Sequence, residues 1–107
     1  MSKTAKKIVR NPDIVWRNEI DDKEIIKSIA QGEDISQKGT VLLVISDMIH
    51  ELNFIGGKIW VLCDSTRKEE DIVNELLKIF DADESQLRFD VHTFISKLIK
   101  DGWLQYV

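Results

Sequence analysis

At Asn53 the spacing of apolar residues changes from strand-like to helical, and that change restricts the chain to strands followed by helices. Before it, Val41–Ile45 is an unbroken apolar run, too short for a stable helix and suited to a strand buried on both faces. Ser46-Asp47 is a turn signal, and Ile49–Asn53 returns antiparallel. On that return strand, His50 and Leu52 share one face while Ile49 and Glu51 share the other. Upstream, Ile14–Ile20 follows Pro12 and carries β-branched and aromatic residues, the composition of a first strand. Trp16 on that strand has Ile14 and Asn18 as its alternation partners, which leaves it room to face solvent. Lys23–Gln31 fits a helix or an extended segment equally, and Gly32 to Gly39 reads as a polar loop.

From Asn53 onward three helices are expected. Asn53 is placed to cap the first, on which Ile55, Ile59, Leu62 and Cys63 form a stripe. Gly56 and Gly57 weaken that helix, so a close backbone neighbour is expected there. Thr66 and Glu69 have the spacing of a capping box before Ile72, Val73, Leu76, Leu77, Ile79 and Phe80. Asp83 and Gln86 start the third helix, Leu87, Val91, Phe94, Ile95 and Leu98 form its apolar stripe, and Gly102 stops it. Trp60 and Trp103 are assigned to core or rim packing. The order is strands, a hairpin, then three helices, which makes an α+β domain.

The 107 residues suffice for one domain with one core. Their charge is uneven. Residues 1–10 carry Lys3, Lys6, Lys7 and Arg10 and no acid, while the rest of the chain is acidic and brings the net charge to −4. Residues 1–10 are therefore read as a flexible basic arm and residues 11–107 as the domain. An acidic body repels phosphate backbones, which disfavours nucleic acid as a partner. No run reaches the roughly 20 apolar residues of a membrane span, so no membrane role is expected. One cysteine forms no internal disulfide, which fits a reducing, cytoplasmic setting.

Catalytic and cofactor motifs are not evident. Gly56-Gly57 is not part of a phosphate-binding loop, and His50, His92 and Cys63 lack metal-ligand spacing, so no catalytic residue, metal or cofactor is expected. Cys63 lies on an apolar stripe, as a small hydrophobe does. Glu69-Glu70-Asp71 complements a helix dipole as a solvated cap. The chain is read as a binding protein, not an enzyme.

Leu52-Asn53, Gly56, Ile59-Trp60, Leu62 and Asp64 make the pattern Leu-Asn-x-x-Gly-x-x-Ile-Trp-x-Leu-x-Asp. Ile72-Val73 with Leu76 follows, then Asp90-Val91-x-x-Phe94-Ile95-x-x-Leu98 and Gly102. Over roughly residues 41–104 the chain resembles the PqqD-like family, with a longer link between the first two strands, from Asp21 to Thr40. The resemblance implies a winged-helix-like domain, a small three-stranded antiparallel sheet followed by three helices, known as a RiPP recognition element. Such domains bind the leader of a ribosomally made precursor peptide by strand addition and present it to a modifying enzyme, often a radical-SAM protein. Carried onto this chain, the peptide-binding edge would be Ile49, His50, Glu51 and Leu52, and the opposing wall the outward side of Leu87–Lys100.

Helix geometry is consistent with that wall. With Leu87 at 0° and about 100° per residue, the apolar stripe spans about 340° through 80°, and Ile99, His92, Ser96 and Phe89 lie beside it at about 120° to 200°. Together with Arg88, these residues make the expected helix half of a peptide groove; for Phe89 and Ile99, packing under the sheet or the basic arm is the alternative. A DNA-binding winged helix is the rival reading, but Arg88 near 100° and Lys97 near 280° point to opposite sides and form no basic stripe. A scaffold that reads no peptide is a third. A free sheet edge on a small core also allows exchange of strands between copies, so a homodimer stands beside the monomer.

Overall fold

A computed structural model describes residues 6–19, 23, 27–28, 30–32 and 39–107. In chain order the elements are β1 (Lys7–Arg10), β2 (Val15–Asn18), β3 (Gly39–Ile45), β4 (Met48–Asn53), α1 (Phe54–Leu62), β5 (Asp64–Lys68), α2 (Glu69–Ile79), α3 (Glu84–Lys100) and β6 (Leu104–Tyr106). The α+β class and the three helices agree with the sequence. Among the described residues there are two three-stranded sheets where one was expected, ordered β2-β3-β4 and β5-β1-β6. The contacts divide the chain into a unit of residues 13–58 and a unit of residues 1–12 with 59–107, the second boundary falling inside α1.

The 13–58 unit holds the expected sheet, antiparallel throughout. Its register lines up Val15, Val44 and Ile49 across the three strands, then Arg17, Leu42 and Glu51, with Trp16, Leu43 and His50 between these rows. Because successive residues alternate faces, the first two rows share one side of the sheet and the third lies on the other. Val41 and Leu43 are buried, whereas Val44 is 43% exposed. β3 therefore buries one face only, not both, and its continuous apolar run places hydrophobes on the open side as well. Trp16 is half-buried beside Leu43. Ser46 and Asp47 both have positive φ, at 51° and 64°, the two-residue type I′ turn whose twist matches paired strands. Of the ambiguous stretch, Lys23, Lys27, Ser28 and Ala30 are helical, and the Gln31 N–H donates to the Lys27 carbonyl at 3.1 Å. The expected loop from Gly32 to Gly39 lies outside the described residues apart from those two glycines. At the start of α1, Asn53 Oδ1 accepts from the Gly56 N–H at 2.9 Å, the expected cap. Gly56 and Gly57 are buried, as are Phe54, Ile59 and Trp60 of α1; of the expected stripe Ile59 and Cys63 are buried, while Ile55 and Leu62 are half-buried.

The other unit overturns the flexible arm over Lys7–Arg10. β1 is the central strand of its sheet, with Lys7 opposite Lys68 and Ile8 opposite Tyr106, and Ile8 is fully buried. Met1–Ala5, with Lys3, lies outside the described residues. Arg10 is an internal cap. Its Nη1 donates to the carbonyls of Trp60 (3.1 Å) and Val61 (2.7 Å), while Arg67 Nη1 donates to Leu62 (3.3 Å). The last turn of α1 carries no basic residue of its own, so these two arginines supply the positive charge that its carbonyl end favours.

α2 begins at Glu69, not at a Thr66 cap: the Lys68 N–H donates to Asp71 Oδ2 at 3.0 Å, and Thr66 belongs to β5. Thr66 instead bonds Asp64, and its hydroxyl is the main reason the Asp64 carboxyl titrates below the usual range. α3 starts where expected, with Asp83 Oδ1 accepting from the Gln86 N–H at 2.9 Å. It ends in a Schellman turn. Gly102 has φ 80° and donates to the Ile99 carbonyl, and Trp103 donates to that of Leu98. Ile72, Val73 and Leu76 of α2 and Leu87, Val91, Ile95 and Leu98 of α3 are buried, as the helical spacing predicts. Among the described residues no helix is long and apolar enough to cross a membrane.

Two stability measurements test these local arguments. Replacing Ser46-Asp47 by Asn-Gly puts at both left-handed positions the residues that tolerate them best and is expected to raise the unfolding free energy by about 0.5–1 kcal/mol in urea titrations. Arg10→Ala leaves two helix-end carbonyls without a charged donor and should cost about 1.5–3 kcal/mol, while Lys7→Ala on the exposed side of the same strand stays within about 0.5 kcal/mol.

Candidate functional site

The nine residues expected to bind peptide fall in two groups, one in each unit. Ile49, His50, Glu51 and Leu52 are consecutive residues of β4, which pairs with β3 on one side. Among the described residues no strand pairs with its other side, so alternate backbone N–H and C=O groups of the edge point outward, open to another strand. Ile49 is 71% exposed and Glu51 is exposed, while His50 and Leu52 on the opposite face are half-buried.

Arg88, Phe89, His92, Ser96 and Ile99 lie along α3 and line two shallow hollows of the other unit. The first, about 410 Å³, is bounded by Glu69, Glu70 and Val73 of α2 and by Arg88, Phe89 and His92. The second, about 390 Å³, is bounded by His92, Ser96, Ile99, Lys100 and Tyr106. His92 is the shared wall, so the two hollows follow one side of α3. The Phe89 ring is 66% exposed, so its alternative role as a packed residue does not hold; Ile99 is half-buried.

Charge around the hollows comes in pairs. His92 Nδ1 is 3.1 Å from both Glu69 carboxylate oxygens. Arg88 sits between two acids, with Nε 3.6 Å from Glu84 and Nη2 4.0 Å from Glu70. Arg88 is thus partly neutralised by its own helix and by α2, which weakens the DNA-binding alternative further. Burial raises the affinity of the Tyr106 phenol for its proton, and the nearby Glu69 carboxylate adds to the effect. Glu69, Glu70, Val73, Lys100 and Tyr106 were not anticipated. Glu69 and Glu70 were read as helix-cap acids, and the available signal was their complement four residues apart on α3, Arg88 and His92.

The other chemical candidates stay apart from these surfaces. Cys63 is fully buried, and burial pushes its thiol up to about 12 against the opposing pull of Arg10, so it stays protonated at neutral pH. No group of three or more His, Cys, Asp or Glu residues suited to a metal occurs among the described residues. An open backbone edge and an amphipathic trough with an exposed aromatic ring are features of binding surfaces.

The family model described as coenzyme PQQ synthesis protein D (PqqD) matches residues 39–104. No curated protein matches the sequence. Among solved structures, the chain is similar to TbiB1 in complex with the TbiA(beta) leader peptide, at 19% identity and a TM-score of 0.65, covering 91% of this chain and 94% of that one. It is also similar to the PqqD truncation of Methylobacterium extorquens PqqCD, a stand-alone RiPP recognition element solved by NMR. That match has 16% identity and a TM-score of 0.60, covering 98% and 99% of the two chains. At these identities the likeness shows a shared fold.

Phe89→Ala is expected to change the unfolding free energy by less than about 0.5 kcal/mol, because its ring packs little. Ile95→Ala, one turn and a half further along α3 and fully buried, should cost about 2–5 kcal/mol in the same urea titration.

Proposed function

The chain belongs to the PqqD family, and from that premise we propose that it binds the leader segment of a ribosomally made precursor peptide and presents it to a modifying enzyme. The observation that carries the reading is the open edge of β4. Main-chain hydrogen bonds to Met48–Asn53 would supply affinity regardless of sequence, and neighbouring side chains would supply selectivity. β4 has six residues against four in β2 at the opposite edge of its sheet, so it offers the longer template. Ile49, His50, Glu51 and Leu52 are assigned to the strand contact, and Arg88, Phe89, His92, Ser96 and Ile99 to side-chain contacts. The proposed receiving partner is a radical-SAM or other peptide-modifying enzyme. Two PqqD-fold neighbours support the reading, one described as a recognition element and one bound to a leader peptide.

Titration of ¹⁵N-labelled protein with a leader peptide encoded beside its gene is the direct test. Binding at micromolar or tighter affinity is expected, with amide shifts at Ile49–Leu52 and Phe89–Ser96. Phe89→Ala should weaken binding roughly threefold or more. Shifts that appear only with duplex DNA, at Lys6–Arg10, would favour the nucleic-acid alternative.

A further inference from the structure

We propose that Ile49 and Glu51 impose a two-position rule on the peptide that adds to β4: an apolar side chain beside Ile49 and a Lys or Arg beside Glu51, two residues apart. The proposal rests on the strand-addition reading and names the chemistry that the edge selects. It follows from the rows on the open face of the β2-β3-β4 sheet. Val15, Val44 and Ile49 form one continuous cross-strand row, exposed by 68%, 43% and 71%. Such a row ends at β4 with an apolar flank that water covers, and a fourth strand carrying an apolar residue at that position would extend it.

The neighbouring row on the same face is Arg17, Leu42 and Glu51. Its two charges stand at opposite edges, with Leu42 between them. Arg17 has an ion partner in Glu19, at 3.6 Å. Glu51 makes no ion pair among the described residues and stands on the edge strand, where a residue of a new strand would come beside it. Side chains directly opposite on paired strands come within about 5 Å, close enough for opposite charges to attract and like charges to repel. The chain's net charge of −4 acts in the same direction at longer range. Because side chains alternate, residues 49 and 51 meet peptide positions two apart whether the added strand runs parallel or antiparallel.

A displayed library of random nonapeptides, selected separately on the wild-type protein and on Glu51→Lys and Glu51→Gln variants, tests the rule. Peptides enriched on the wild type should pair an apolar residue with Lys or Arg at a spacing of two, in either order. The Glu51→Lys protein should replace that base by Asp or Glu, and Glu51→Gln should lose the charge preference without acquiring another. Reversing the basic residue of one selected peptide should weaken wild-type binding roughly three- to tenfold, and less at high salt. The rule is overturned if selected peptides slow hydrogen exchange at Met48–Asn53 yet show the same charge preference on all three proteins. Selected peptides that bind without protecting those amides would instead refute strand addition itself.

Discussion

The ladder between β3 and β4 determines which backbone groups of the 13–58 unit are already paired and which stay open. A two-residue turn through Ser46 and Asp47 sets its register, and a slip by one residue would turn Leu43 and Val41 out of the buried face. With that pairing in place, β4 has one paired side and, among the described residues, one side with no strand beside it, the side to which the proposed peptide would add. The same ladder puts Ile49 and Glu51 on the open face and His50 and Leu52 on the other. Backbone availability and side-chain character are therefore set together.

The second unit solves a different problem. α1 ends without a basic residue in its last turn, and the missing cations come from sequence-distant positions, Arg10 on β1 and Arg67 on β5. Its helices α2 and α3 then bury one apolar face each, and the acids of α2 meet Arg88 and His92 of α3 beside the exposed Phe89. The trough along α3 thus combines a firm apolar base with a rim of paired charges.

What could be read in the sequence follows the strength of each local signal. Helices α2 and α3 were legible because Ile72, Val73 and Leu76, then Leu87, Val91, Ile95 and Leu98, repeat at helical spacing. The caps at Asn53 and Asp83, the hairpin turn and the Gly102 stop were legible because few residue types suit those positions. The sheet β5-β1-β6 was not. Asp-Ser-Thr-Arg-Lys has no apolar residue, Leu-Gln-Tyr spans three residues, and Lys-Ile-Val-Arg shows a buried Ile8 only between two cations. Strands this short are selected by partners far away in sequence, information that no local window contains. That the five α3 residues lie along one side of the helix could be projected from 100° steps; that Glu69, Glu70 and Val73 of α2 line the same hollow could not, because that requires knowing how two helices dock.

The pairing of β1 with both β5 and β6 also has a consequence for synthesis. Residues 8–10 wait for residues 104–106, so the 1–12 and 59–107 unit closes its sheet only after its last strand, about 95 residues further along, has left the ribosome. The 13–58 stretch depends on no such late arrival and is free to form its hairpin while translation continues. A nascent chain would then expose the outer edge of β4 before the β5-β1-β6 sheet has set.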